Sequence, residues 1–236
     1  LYTPPQDNSV EFQLATSNAA DHVGTASSIV PASSFSVEVW VRPTSFAESP
    51  IIFAQGDSAT MQLALETNGQ LRIGVGGSYW GGATPAIPLN AWTHIALTKD
   101  ASNVPRVYLN STLVWTGTAA SGTYAGQFRI GEWHLSAAHD FSGNIDQVKV
   151  WSSALDGRNL AVSMHSYSTS GVAGTLLAHY DFNEPDGTVE LDRSGNGRHL
   201  SRNQLSTGAI DGSEIVEAGT AHSTQTFAKF NRSILT

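Results

Sequence analysis

The segment from Phe141 to Leu155 constrains the fold most. Its apolar Ile145, Val148, Val150 and Trp151 run straight into the polar pair Ser152-Ser153, so a strand with one buried side closes a sheet there. Such a strand needs partners, and the chain supplies them. Val37, Val39 and Val41 alternate with Ser36, Glu38 and Trp40, and Val10–Leu14 alternates in the same way. Val107–Trp115 folds back at the tip Asn110-Ser111, while Met61–Leu65 and Leu71–Val75 flank Asn68-Gly69, the dipeptide of a tight hairpin. This period of two predicts an antiparallel sandwich with Val37, Val39, Val41, Phe12 and Leu14 inside. Glu38, Trp40 and Arg42 are then expected on an opposite, solvated face.

Composition agrees. Charged residues are only 14% of 236 and glycines number 22, as suits short strands joined by tight polar turns. That length can bury an adequate core without metal or disulfide staples. A net charge of −8, with 12 basic residues scattered among 20 acids, argues against a nucleic-acid partner, which needs clustered Lys and Arg. Without cysteine there is no disulfide frame, thiolate metal site or cysteine nucleophile. No apolar run approaches the roughly 18 residues of a membrane span, so no membrane insertion is expected. The start at Leu1 rather than Met fits a processed form or a fragment. The sequons at Asn110 and Asn231 are of a kind that arises by chance in Ser/Thr-rich chains.

Beyond the closing strand, Asp156–His165 carries Leu160, Val162 and Met164 near helical spacing, which predicts one or two helical turns. Leu176–Phe182 then alternates as a strand before the turn-rich stretches Glu184–Gly187 and Leu191–Leu200. Two arrangements stay open: this strand completes the sandwich beside the N-terminal one, or it begins a second unit. Completion is favoured, because ~60 residues is little for an independent core. The chain is thus read as a single domain, 1–236, with a core at about 10–183 and a C-terminal extension at 184–236.

Four motifs in order, "FSVEVWVRPTSF", "NAWTHIALTKD", "VYLNSTLVWTG" and "FSGNIDQVKVWSSALDG", resemble the concanavalin A-like lectin/glucanase superfamily, in particular its laminin-G-like and pentraxin-type domains. The resemblance spans roughly residues 10 to 165. It implies an all-β fold, a two-sheet antiparallel jelly-roll β-sandwich with one short helix after the closing strand. It also implies an extracellular, secreted or cell-surface module that binds sugars or surfaces more often than an enzyme.

Calcium is the cofactor this resemblance suggests, and it needs six to eight hard oxygen ligands. Similarity to the pentraxin pattern puts Asp57 at a calcium position and Glu132 and Asp140 in a shortened counterpart of the acidic metal loop. Ser58 after Asp57, the shorter loop and His139, a poor calcium ligand, depart from that pattern; the alternative is solvated loop acids. A second candidate is Asp192-Arg-Ser-Gly-Asn196-Gly, similar to a structural calcium loop, with Asp146 as its partner in space. Its alternative is an Asx-turn in which Asp192 and Asn196 bond their own backbone.

A glycan partner needs an exposed aromatic face and planar amide or carboxylate groups on a rigid scaffold. Tyr79 and Trp80 lie among glycines, and Trp133 and His134 lie in the loop before the closing strand; each is either a stacking platform or a lid on the core. Trp40, Trp92, Trp115 and Trp151 occupy strand positions of the family pattern and read as structural. Catalysis has little support. Ser36–Val41 carries Glu38 alone where a jelly-roll glycosidase alternates several carboxylates, and no nucleophile elbow or zinc motif occurs. Two functions remain: a non-catalytic lectin-like module, with or without calcium, or a structural subunit of a homo-oligomer or filament. The latter would assemble through Leu1–Asp7 and Ala221–Thr236, where Thr224–Phe230 alternates well enough to add a strand to another chain.

Overall fold

The structure, a computed structural model, describes residues 10–12, 23–25, 27–56, 60–82, 84–132, 139–166, 169–183 and 189–202. In chain order its elements are β1 (Val10–Phe12), β2 (Val23–Gly24), β3 (Phe35–Pro43), β4 (Ile51–Gln55), β5 (Met61–Leu65), β6 (Leu71–Val75), β7 (Ser78–Trp80) and β8 (Thr93–Lys99). Then follow β9 (Pro105–Leu109), β10 (Thr112–Thr116), β11 (Phe128–Ile130), β12 (Gly143–Trp151), α1 (Gly157–Ser163), β13 (Leu176–Tyr180), β14 (Val189–Glu190) and β15 (Leu200–Arg202). All strand pairings are antiparallel, as the period-two patterning requires.

One sheet runs β1-β12-β3-β8-β9-β10, with β13 also on β12; the other runs β14-β15-β2-β11-β4-β5-β6-β7. Their inner faces meet in one apolar core that includes Val37, Val39, Val41, Leu63, Ile73, Leu97, Val148 and Val150. Phe12 lies on β1, opposite Gly143, and Leu14 falls outside the described residues.

The strand at Leu176 does complete the sandwich. β1 pairs with β12 at 143–145 and β13 pairs with it at 148–151, end to end along the edge away from β3. Between them Gln147 adopts φ 49°, the kink at which one partner hands over to the other. On the second sheet β15 pairs with β2, so the tail to residue 202 stitches both layers.

The expected solvated face of β3 needs correction. Val39 is buried as expected, but Glu38 and Trp40, on the other side of the strand, are buried too. The reason is a third layer: α1 and the turn after it lie across the first sheet's outer face. Asp156 caps α1 by accepting from the Asn159 N–H at 2.9 Å. Trp40 Nε1 donates to the Met164 carbonyl at 2.8 Å, and Lys149 Nζ donates to the carbonyls of Ser163 and Ser166 at 2.6 and 2.8 Å. Leu155 and Leu160 pack with Tyr108 and Trp151 in a second small core there.

Candidate functional site

The hairpin of β5 and β6 turns at Asn68-Gly69, where Gly69 takes φ 81° and the Asn68 side chain accepts from the Gln70 N–H at 2.9 Å. The turn fixes the register. Gln62 stands opposite Gly74 and Ala64 opposite Arg72, while Gly74 in turn faces Tyr79 on β7. Since Leu63, Leu65, Leu71 and Ile73 point into the core, Gln62, Ala64, Arg72, Gly74 and Tyr79 share the outer face. The Glu66 N–H bonds the Gln70 carbonyl at 2.7 Å, which continues the ladder and puts Glu66 on the same side.

Gly74 makes this surface possible. A methyl group at residue 74 would lie 2.8 Å from Gln62 Cγ and 2.9 Å from Tyr79 Cε1, so only glycine lets both side chains close over the sheet. Tyr79 keeps about half its surface in solvent, at 51%. Gln70 is held in place: its Nε2 donates to the carbonyls of Gly82 and Thr84 at 3.1 and 2.7 Å, and its Oε1 accepts from Asn68. By contrast the side chains of Gln62, Glu66 and Arg72 make no hydrogen bond or ion pair among the described residues. An amide, a carboxylate and a guanidinium, all planar, thus stand beside an exposed aromatic. Gln62 and Glu66 are four residues apart, ~13 Å along the strand, with Arg72 across from the midpoint.

Trp80 takes the other side of β7. It packs against the core, and its ring meets Trp115 of β10 edge-on, 5.4 Å between centroids at 60°. The pair bridges the edge strands of the two sheets and seals the sandwich there. Tyr79 and Trp80, adjacent in sequence, therefore face opposite ways.

The remaining sequence candidates are scattered. Asp57, Trp133 and His134 lie outside the described residues. Glu132 and Asp140 are both buried at the neck of the loop between β11 and β12, which the Phe141 N–H closes on the Gly131 carbonyl at 2.7 Å. Asp146 is buried on the first sheet and accepts from the Gln147 N–H at 2.6 Å. Asp192 accepts N–H groups of His179, Ser194 and Arg198 at 3.0, 2.8 and 3.0 Å, so both its oxygens are taken by donors. Burial alone would raise the Asp192 carboxyl, but these bonds outweigh it and hold it below the usual range. Asn196 Nδ2 donates to the carbonyls of Leu176 and Leu177 at 3.0 and 3.1 Å. Asp192 thus closes an Asx-turn on the Ser194 N–H, and Asn196 ties that turn to β13. No cluster of three or more His, Asp or Glu side chains able to hold a metal occurs among the described residues.

A Ser, a Glu and a His do converge under α1. Glu38 accepts from Trp151 Nε1 at 2.7 Å and from Ser163 Oγ, and its other oxygen meets His94 Nε2 at 2.9 Å. Burial would push the Glu38 carboxyl up, yet the charge of Lys149 opposite and the His94 and Ser163 bonds hold it at about 2. Ionised Glu38 can only accept, so His94 carries its proton on Nε2. Burial also pushes His94 down and His179 to about 4, with Lys149 adding to both. Glu38, His94 and Ser163 are each at most 1% exposed, so the trio braces the helix where no substrate reaches.

A family model described as the concanavalin A-like lectin/glucanases superfamily matches residues 16–161. Among solved structures, a Bacteroides ovatus ATCC 8483 protein proposed to bind carbohydrate is similar over 85% of this chain, at 21% identity and TM-score 0.66. The match covers 59% of that protein, so this chain spans about three-fifths of its length. The heptameric SAP-like pentraxin of Limulus polyphemus is similar over 88% of this chain and all of its own, at 16% identity and TM-score 0.58. No curated protein matches the sequence. No helix among the described residues is long and apolar enough to cross a membrane.

Proposed function

Because the chain belongs to the concanavalin A-like lectin/glucanases superfamily, we propose that it is a non-catalytic module that binds carbohydrate on the outer face of β5, β6 and β7. One observation carries the reading: Glu66 and Arg72, half-buried, uncommitted and planar, stand with the largely buried Gln62 amide beside exposed Tyr79 on one face of the sheet. A sugar offers C–H faces to an aromatic ring and hydroxyls to amides and carboxylates, and this surface has both. The likeness to a Bacteroides protein proposed to bind carbohydrate supports the same reading. A binding role fits better than hydrolysis, since Glu66 is the one carboxylate in the patch and glycoside cleavage takes two.

Calcium, in this proposal, acts at the Glu132 and Asp140 neck and not at the Asp192 turn. An extracellular setting, where glycans are displayed, belongs to the same reading.

A glycan array followed by titration tests it. Tyr79→Ala should weaken binding by ~1–3 kcal/mol while leaving the unfolding midpoint nearly unchanged. Trp80→Ala should do the reverse, costing about 2–4 kcal/mol of stability with the affinity of the folded fraction intact. An array without a hit, or a Tyr79→Ala isotherm that overlays the parent, overturns the assignment. A large regular assembly that ignores sugars would instead favour a structural subunit.

A further inference from the structure

We propose that Arg72 selects acidic glycans, reading a carboxylate or sulfate on the sugar; this rests on the carbohydrate-binding reading above and sharpens it. The other arginines and lysines whose side chains are described are nearly all committed. Arg106 pairs with Asp100 at 2.7 Å and Arg193 with Asp181 at 3.1 Å. Arg42 and Arg129 donate to Asn144 and Gln127, and Arg198 to the Leu177 carbonyl. Lys99 is held by the Ala32 carbonyl and Asn103, Lys149 by Ser163 and Ser166. Arg158 shares the lack of a side-chain bond, but it stands in solvent on α1 beside Asp156.

Arg72 differs in that its side chain makes no hydrogen bond or ion pair among the described residues while being half-buried, and its Nε, like that of Arg129, is shut off from solvent without an acceptor among them. The terminal nitrogens of the fork are the donors open to a ligand. It also sits diagonally from Tyr79 and next in line to Gln62, where a sugar stacked on the tyrosine would present a ring substituent. The planar fork matches an oxyanion in a way that an amide cannot. Glu66, two rows away from Gln62 on the same face, would repel a second charge, which favours a single acidic group at the arginine over a dense polyanion.

The chain as a whole carries −8, so it repels a polyanion at long range, and any preference for one must come from contact. The test uses calorimetric titration of the full chain with galacturonic acid, with its methyl ester, which keeps the ring and loses the charge, and with galactose 6-sulfate. Galacturonate or galactose 6-sulfate should bind roughly tenfold to a hundredfold more tightly than the ester. Which of the two wins tells carboxylate from sulfate. Arg72→Gln should erase that preference, with affinity for the acid falling to that for the ester while circular dichroism is unchanged, and Arg72→Lys should restore part of it. Equal affinity for acid and ester, or a preference that survives Arg72→Gln, overturns the inference alone. Absence of binding to these probes and to every neutral glycan overturns the carbohydrate reading and takes this inference with it.

Discussion

The two sheets turn opposite kinds of surface away from their shared core. On the first, α1 roofs a layer of polar groups that are bonded to one another: Glu38 to His94, Trp151 and Ser163, and Lys149 to the helix end. On the second, at β5 to β7, Gln62, Glu66 and Arg72 are held by their strands but bonded to nothing in the described chain. A largely satisfied network under a roof, in which His94 Nδ1 lacks a partner among the described residues, gives rigidity and a unique packing, whereas unsatisfied groups on the opposite sheet give recognition. Covering a polar layer is tolerable when most of its hydrogen bonds are made.

Acid should produce the largest effect that separates the faces. His179 titrates near 4 when folded against an ordinary 6.5, so the unfolded chain takes up a proton first and stability falls from pH 6.5 to 4. Glu38, near 2 when folded against an ordinary 4.5, contributes stability above pH 4.5 that is lost between 4.5 and 2. Each window is worth roughly 3 kcal/mol. Chemical denaturation across pH 2 to 7 should show both falls, and His179→Gln should shrink the upper one to the share that buried His94 contributes while sparing the lower. A flat profile between pH 6.5 and 4 would mean that the roof leaks.

Next in size, Glu38→Ala should cost about 3–5 kcal/mol of stability, because it strands Lys149, Trp151 and Ser163 under the helix. Glycan affinity of the folded fraction should not change, since the site is on the other sheet. A loss of binding without loss of stability would break the division of roles between the faces.

The smallest effect concerns Asp192. Replacing it with Ala should cost about 1–2 kcal/mol, the loss of an acceptor for several N–H groups. The cost should be the same in calcium and in chelator, as measured by melting in each. A penalty that appears only in calcium would return the turn to the metal reading.

Much of this architecture was legible in the sequence. The Asn68-Gly69 and Asn110-Ser111 turns, with positive φ at Gly69, Asn110 and Ser111, join the strand pairs expected of them. The helix predicted within Asp156–His165 is Gly157–Ser163. What escaped is the effect of layers. Alternation on β3 assigns Glu38 to the far side of the strand, but no local pattern tells that a helix beyond residue 156 will cover that side. The candidate site was half legible. Tyr79 stood out among glycines, whereas Gln62, Glu66 and Arg72 are unremarkable residues on two strands until register aligns them. That signal was available, since a tight Asn-Gly turn fixes the pairing and gives those residues the same parity. The glycines on both sides hid the short strand Ser78–Trp80, and with it the fact that Tyr79 and Trp80 face opposite ways.

The shared edge of β12 also bears on how the molecule comes to be folded. Its two partners there, β1 and β13, lie more than 160 residues apart in the chain, and β15 reaches back as far to β2. Pairings that close such long loops come late and slowly, because entropy must be lost before contacts reward it. A growing chain released as far as α1 therefore holds its central sheet with half of one edge of β12 open, exposing main-chain donors and acceptors to any passing strand. Only when residues 176–202 emerge can that edge be closed, so these late-made strands serve as a latch of the sandwich.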